Sequence, residues 1–147
     1  MGILLVRHAE AVEEQAGSDD AGRWLSARGR AQAREVAQAV AAKGLSLSKL
    51  VASPRVRAVQ TGELFAQALG FLGEVEVLPA LSYTEPPERA AHALAKLAAT
   101  RHIAAFGHMP TIAGIASRLA GAPHPGLSLA QALWIDEGRV VWSLAPR

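Results

Sequence analysis

Short apolar runs separated by longer segments of mixed polarity give this chain its pattern. The first run, Ile3–Val6, is apolar without alternation, which is typical of a strand covered on both faces of a sheet. Further strands are predicted at Leu50–Ala52, Val75–Leu78 and Ile103–Phe106. Two last runs, Ala132–Ile135 and Val140–Leu144, flank a polar turn and predict a terminal β-hairpin.

Segments with helical spacing of apolar residues lie between these strands. The first is predicted to begin after an N-cap at Ser26 and to stop before Gly44. The second is predicted to begin at Ser53-Pro54, with serine as N-cap and proline in the first helical position. The first helix is predicted to end near Ala42 and the second near Leu69. A third helix is predicted to end near Thr100, and a fourth to run from Pro110 to about Leu119.

Strands and helices thus alternate before the hairpin. This order predicts an α/β fold, a three-layer sandwich with a mainly parallel sheet and helices on both faces. The chain has 147 residues, of which 50% are hydrophobic and 19% are charged, so it can bury a core and is not of the disordered class. We expect a single domain over residues 1–147.

Composition excludes several functions. The chain has no cysteine, which excludes disulfides, thiolate metal sites and a cysteine-based phosphatase mechanism. A formal net charge of +2 without a basic run argues against nucleic acid as a partner. The sequence shows no signal-peptide pattern and no apolar stretch of membrane-spanning length, so we expect a cytoplasmic protein without a membrane partner.

Polar residues gather where three predicted strands end. Arg7 and His8 follow the first strand, Arg57 lies shortly after the second, and His108 follows the fourth. Ligands of parallel sheets bind beyond the carboxyl ends of the strands, so these side chains are expected to converge. Two arginines, two histidines and two helix N-termini make a cationic pocket, for which a phosphoryl group is the best-fitting anion.

Histidine in such a pocket can do covalent chemistry. Neutral His8 would attack phosphorus through one ring nitrogen, with the other held by a backbone carbonyl or similar acceptor. Neighbouring arginine charges disfavour the imidazolium and would keep His8 neutral. His108 would donate a hydrogen bond to the phosphoryl oxygens. Since Arg7 and Arg57 neutralise the charge, no metal and no cofactor are predicted.

Four ordered motifs give this chain a family resemblance. They are RHA at 7–9, LSARGRAQA at 25–33, SPRVRAVQT at 53–61 and GHMP at 107–110. The set resembles the histidine phosphatase superfamily, which is phosphoglycerate-mutase-like, and within it the short phosphohistidine phosphatases typified by SixA. Ala9 departs from the usual glycine of the first motif, which would reposition the phosphate loop slightly.

The resemblance implies that Arg7, His8, Arg57 and His108 carry the pocket. It also implies a phosphatase that dephosphorylates phosphohistidine in a protein and releases inorganic phosphate. Phosphomonoesterases of this superfamily usually add a carboxylic acid for the leaving oxygen, and Glu85, in the loop after the third strand, is the candidate for that acid and for substrate binding.

Two other functions stay open. The substrate could be a small phosphorylated metabolite, since Arg7-His8 says nothing about the leaving group. The domain could also be a non-catalytic module that binds phosphate. The absence of long insertions that could cover a small substrate favours the protein-borne phosphohistidine.

Several residues are given plainer roles. Arg55, Arg28 and Arg30 are predicted to form a solvated face, with Arg55 at most at the rim of the pocket. The acidic segment Ala9–Trp24 is predicted to be a surface loop near the pocket mouth, and Gly29 to allow a close approach. The three tryptophans, at 24, 134 and 142, are predicted to be packing residues.

Overall fold

A computed structural model describes residues 2–13 and 19–147 of the chain. Its strands are β1 Ile3–Arg7, β2 Lys49–Ala52, β3 Val75–Val77, β4 Ile103–Gly107, β5 Ala132–Asp136 and β6 Arg139–Leu144. Its α-helices are α1 Ala27–Ala41, α2 Val56–Leu69, α3 Pro87–Leu97 and α4 Thr111–Ala120, with 3-10 helices at Asp20–Gly22 and Pro79–Leu81. Of the acidic segment predicted as a loop, Glu14 lies outside the described residues.

The strands form one six-stranded sheet in the order β3-β2-β4-β1-β5-β6. The first four strands in this order are parallel to one another. Strand β5 is antiparallel to β1, and β5 and β6 form the C-terminal hairpin. The predicted α/β fold with a mainly parallel sheet and a terminal hairpin is therefore confirmed.

Each face of the sheet has its own apolar core, because successive strand residues point to opposite sides. Leu4 and Val6 belong to the cluster that α1 and α2 cover. Ile3 and Leu5 belong to the cluster that α3 and α4 cover. This burial on both faces explains why the run from Ile3 to Val6 shows no polar alternation.

The N-cap prediction for α1 is confirmed, since Ser26 accepts a hydrogen bond from the Gly29 amide at 3.0 Å. The prediction for α2 is wrong: the helix begins at Val56, and Arg55 is its N-cap residue. The Ser53 amide still pairs with the Phe106 carbonyl at 2.9 Å, as a continuation of the sheet. The Ser53 hydroxyl bonds a histidine ring, so it does not serve the helix.

Close packing accounts for Gly29 and for two of the tryptophans. A Cβ at Gly29 would lie 2.0 Å from the Glu10 carbonyl oxygen, which confirms the predicted close approach. Trp134 is buried and stacks on Trp142 with ring centroids 6.2 Å apart. Trp24, by contrast, is 46% exposed. Within residues 2–13 and 19–147, none of the helices has the length and apolar character needed to span a bilayer.

Candidate active site

The carboxyl ends of β2, β4 and β1 meet at one edge of the sheet, because these neighbouring strands are parallel. Arg7 is in register with Gly107. The pairing continues beyond the strands, where the His8 amide donates to the Gly107 carbonyl at 3.0 Å and the Ser53 amide donates to the Phe106 carbonyl at 2.9 Å. The backbone thereby brings together the three polar strand ends that the sequence predicted.

His8 follows β1 with its ring held in one orientation. Nδ1 donates a hydrogen bond to the main-chain carbonyl of Ala9 at 2.7 Å, so Nε2 carries the lone pair of the neutral ring. The pKa of His8 is lowered to about 4; burial is the largest cause, and the charges of Arg57 and Arg7 act in the same direction, against the effect of the Ala9 bond. The neutral, nucleophilic form is therefore favoured at pH 7, although burial outweighs the arginine charges that the sequence suggested as the cause.

His108 lies beside His8, with ring centroids 5.2 Å apart. It is 4% exposed, and its Nε2 is 2.6 Å from the Ser53 hydroxyl oxygen. Burial, reinforced by His8 and Arg57, lowers the pKa of His108 to about 3. Its Nδ1 is buried and has no hydrogen-bond partner among the described residues, which leaves this nitrogen to serve a ligand.

The two predicted arginines are held differently. Arg7 Nη1 donates to the Leu127 carbonyl at 3.0 Å, while its buried Nε has no partner within the described parts of the chain. Arg57 is 8% exposed and lies in the first turn of α2. Both of its terminal nitrogens bond Asp20: Nη1 to the main-chain carbonyl at 2.9 Å and Nη2 to the carboxylate at 3.1 Å.

A cleft of about 260 Å³ opens at this edge of the sheet, and its lining includes Asp20, Arg55, Arg57, Tyr83, His108 and Met109. A larger groove, of about 420 Å³, lies between α2 and β3 and is lined by Glu63, Glu74 and mainly apolar residues. Chemistry rather than size identifies the site, because three residues that line the smaller cleft, Arg55, Arg57 and His108, have lowered pKa values.

The amino-acid sequence matches a known protein family. A sequence model of the histidine phosphatase superfamily, branch 1, matches residues 3–85. The chain belongs to the histidine phosphatase superfamily. The predicted class of enzyme, a phosphatase of the histidine phosphatase type, is confirmed at this level of family.

Solved structures share the fold of this histidine phosphatase. The protein histidine phosphatase SixA in complex with tungstate is 22% identical, with a TM-score of 0.90 over 99% of this chain and 97% of that one. A protein assigned as SixA from Agrobacterium tumefaciens is also 22% identical, with a TM-score of 0.85 over 99% and 98%. A mycobacterial glucosyl-3-phosphoglycerate phosphatase is 19% identical, with a TM-score of 0.69 over 92% of each chain. A search of curated protein sequences found no match.

Arg55 contradicts its predicted place on a solvated face of this histidine phosphatase. Its side chain is 11% exposed and forms an ion pair with Asp20. The guanidinium carbon lies 3.9 Å from the centroid of the Tyr83 ring, as in a cation–π contact. The sequence carried one signal for this position of Arg55. Arg55 and Arg57 lie two positions apart at the start of a helix, where the side chains have not yet spread around a helical turn.

Thr61 is a second residue that sequence reasoning did not single out. Its fully buried hydroxyl accepts a hydrogen bond from the Ala9 amide at 3.1 Å and donates one to the Arg57 carbonyl at 2.7 Å. One side chain of α2 therefore ties the segment that follows His8 to the turn that carries Arg57. Ala9 is also fully buried at the position where the family usually has glycine.

The structure does not bring Glu85 to the cleft lining. Its carboxylate pairs with Arg89 one helical turn later, at 3.2 Å, on an exposed part of the surface. The described residues contain no group of three or more His, Cys, Asp or Glu side chains placed to hold a metal ion. Arg7, His8, Arg57 and His108 are thus gathered at one edge of the sheet, and Glu85 lies apart from them.

Proposed function

We propose that this protein is a phosphatase that works through a phospho-His8 intermediate, with phosphohistidine in a protein as its substrate. The observation that carries the proposal is the bond from His8 Nδ1 to the Ala9 carbonyl. It leaves Nε2 as the ring nitrogen with a free lone pair, near buried Arg57, half-buried Arg7 and a second histidine. A neutral nucleophile among cationic donors is suited to phosphoryl transfer.

The first step forms a bond from His8 Nε2 to phosphorus. The bond from phosphorus to the leaving nitrogen breaks, and its electron pair stays on the substrate imidazole, which departs neutral because its other nitrogen carries a proton. In the second step water attacks phosphorus and the bond to Nε2 breaks, with that electron pair returning to His8. Both protons of the water leave with the released phosphate as H2PO4−, so the enzyme regains its neutral His8.

The remaining groups of the site stabilise charge on the phosphoryl oxygens. Arg7 Nε and His108 Nδ1 are buried donors without partners among the described residues, and both are suited to receive these oxygens. For Nδ1 of His108 to donate, the Ser53 hydroxyl must donate to Nε2. Arg57 supplies a paired donor fork of the kind that binds phosphate.

The choice of substrate rests on the leaving group. Glu85 is paired with Arg89, and the carboxylate that lines the cleft, Asp20, is ion-paired with arginines, so both carboxylates are already engaged by arginine side chains. Phosphohistidine needs little help from an acid, whereas an alkoxide leaving group needs much more. The likeness of the fold to SixA supports the same choice.

A small phosphate ester is the second candidate. It is supported by the likeness of the fold to a mycobacterial phosphatase named for glucosyl-3-phosphoglycerate. In that case Glu85 would have to leave Arg89 and reach the leaving oxygen. Glu85→Gln should then lower kcat/KM for esters and leave phosphohistidine hydrolysis unchanged.

Rapid quench with a radiolabelled phosphodonor tests the intermediate. The wild-type protein should form an acid-labile, base-stable phosphoenzyme, and His8→Ala should form none and lose turnover by at least about 10³-fold. His92→Ala is the matched control, because His92 is an exposed histidine of α3. An active enzyme without any phosphoenzyme, or an active His8→Ala variant, would show that the mechanism is wrong.

A substrate panel then separates the candidates. We expect kcat/KM for a phosphohistidine protein to exceed that for sugar phosphates and nucleotides by at least about tenfold, since only the former leaves without an acid. The reverse order would favour the ester. Tight binding of phosphate with no hydrolysis of any donor would instead favour a non-catalytic module.

A further inference from the structure

Asp20 occupies the mouth of the cleft with its charge facing arginines. Its carboxylate lies 3.1 Å from Arg57 Nη2 and 3.1 Å from Arg23 Nη1, and it forms an ion pair with Arg55. Its main-chain carbonyl accepts a further hydrogen bond from Arg57 Nη1 at 2.9 Å. A single residue thus occupies both terminal nitrogens of the Arg57 fork.

The same fork is what a phosphoryl group requires. An arginine binds phosphate through two parallel N–H donors, and both donors of Arg57 already bond Asp20. The Asp20 carboxylate contacts three arginines, so it occupies donors that an anionic ligand would use. Asp20 and a bound phosphoryl group would therefore compete for one set of donors.

We propose that Asp20 is an internal competitor of the phosphate site. In the free protein it holds Arg55 and Arg57, and the phosphoryl group displaces it from both. Arg55 then becomes a phosphate-binding residue in addition to Arg57. This inference rests on the proposed function for its biological meaning, but it concerns anion binding and can be tested without turnover.

The exchange has a consequence for product release. Inorganic phosphate is the second product, and it has no leaving group to contact the cleft mouth. Return of the Asp20 carboxylate to Arg55 and Arg57 would lower the affinity for this product and free the site for the next substrate. Asp20 is well placed for such movement, because its side chain is 39% exposed whereas that of Arg57 is 10% exposed.

Calorimetric titration with inorganic phosphate tests the competition. Asp20→Asn removes the charge at the same size and should lower the Kd for phosphate by roughly tenfold, since the charge-assisted bonds of Arg55 and Arg57 become available. Asp19→Asn is the matched control. It removes the neighbouring charge and keeps an oxygen that can accept from the Gly22 amide, and we expect a change below about threefold.

An unchanged or raised Kd for Asp20→Asn, or an equal gain in Asp19→Asn, would overturn the proposal. Tighter phosphate binding by Asp20→Asn without hydrolysis of any donor would support the competition while removing the proposed function. Amide hydrogen exchange of the wild-type protein tests the same proposal if the variant does not fold. Saturation with phosphate should speed exchange of the Arg23 amide, which bonds the Asp20 carbonyl, and unchanged or slower exchange would contradict displacement of Asp20.

Discussion

Two regions of the cleft differ in how they are built. The floor, which we define as His8, Ser53 and His108, lies at strand ends where each group is buried or half-buried and has a fixed partner. The mouth, which we define as Asp20, Arg55 and Tyr83, comes from a 3-10 helix, the N-cap of α2 and a turn, and it is held by an ion pair and a cation–π contact. Arg57 belongs to both, since it is buried but bonds Asp20.

The depth of each region decides which property it can control. Burial of the floor lowers the pKa values of both histidines and strengthens each local electrostatic interaction. The mouth is closer to water, so its ion pairs are screened and exchange more easily. The floor is therefore suited to bond making, and the mouth to admitting and releasing anions. Four predictions test this division.

Titration of His8 should show the largest departure from ordinary behaviour. We expect a pKa of about 4 rather than 6.5 in an NMR titration of the ring, because the charged form is disfavoured by burial and by Arg57 and Arg7. The acid limb of kcat/KM should lie correspondingly low. A His8 pKa near 6.5 would contradict the description of the floor as a region of buried groups.

Stability should fall as the pH is lowered from about 6.5 towards 4. The unfolded chain takes up protons on His8 and His108 below 6.5, whereas the folded protein does not until its lowered pKa values are reached, so protonation favours unfolding. Each histidine should contribute on the order of 2–3 kcal/mol. Urea unfolding of His8→Gln and His108→Gln at pH 7 and pH 5 should show a flatter pH dependence than the wild type. An equally steep dependence in both variants would assign the effect to other groups.

Removal of the Ser53 hydroxyl should affect the floor through His108. Ser53→Ala should lower kcat by roughly tenfold or more, because the tautomer that lets Nδ1 donate is no longer selected. Nitrogen chemical shifts of the His108 ring should report the loss of a single tautomer, a change that a general structural defect would not produce. Ser53→Thr should restore much of the activity, and Ser48→Ala, at an exposed position, should leave it unchanged. Full activity of Ser53→Ala with unaltered ring shifts would remove Ser53 from the mechanism.

Changes at the mouth should be smaller and should appear in KM. Arg55→Gln is expected to raise KM by about threefold to tenfold with little change in kcat, because Arg55 binds the anion but lies away from His8. The effect should shrink at high salt. Arg28→Gln is the control, since the Arg28 side chain is 76% exposed. A loss confined to kcat would place Arg55 in the floor instead of the mouth.

The sequence predicted the floor better than the mouth for a physical reason. Strand ends are read from apolar runs, and parallel strands bring their ends to one edge, so Arg7, His8 and His108 could be expected together. The position of Arg55 depends on the exact start of α2, which lies two residues later than Ser53-Pro54 suggested. Local sequence favoured the earlier start because serine and proline are typical of helix beginnings. In the structure the hydroxyl of Ser53 instead forms a hydrogen bond with His108, a residue 55 positions away.

Asp20 shows the other limit of sequence reasoning. It lies in an acidic segment without clear periodicity, where nothing in the local pattern distinguishes one carboxylate from its neighbours. Its partners Arg55 and Arg57 are more than thirty positions away in the chain. Pairing between a loop and a distant helix start depends on the tertiary fold, which no spacing rule reports. The same limit applies to Glu85, whose place in a loop did not reveal its pairing with Arg89.

Thr61 has a consequence for how this protein can change over time. Its hydroxyl links the Ala9 amide to the Arg57 carbonyl. The spacing between the nucleophile His8 and the phosphate-binding Arg57 is therefore kept when the segment around Asp20 changes. Replacements in that loop would alter which anions enter and how fast phosphate leaves. They would not alter how phosphorus is approached. Substrate range and reaction chemistry can therefore evolve separately, because the buried Thr61 hydroxyl fixes the reacting groups independently of the residues that admit the substrate.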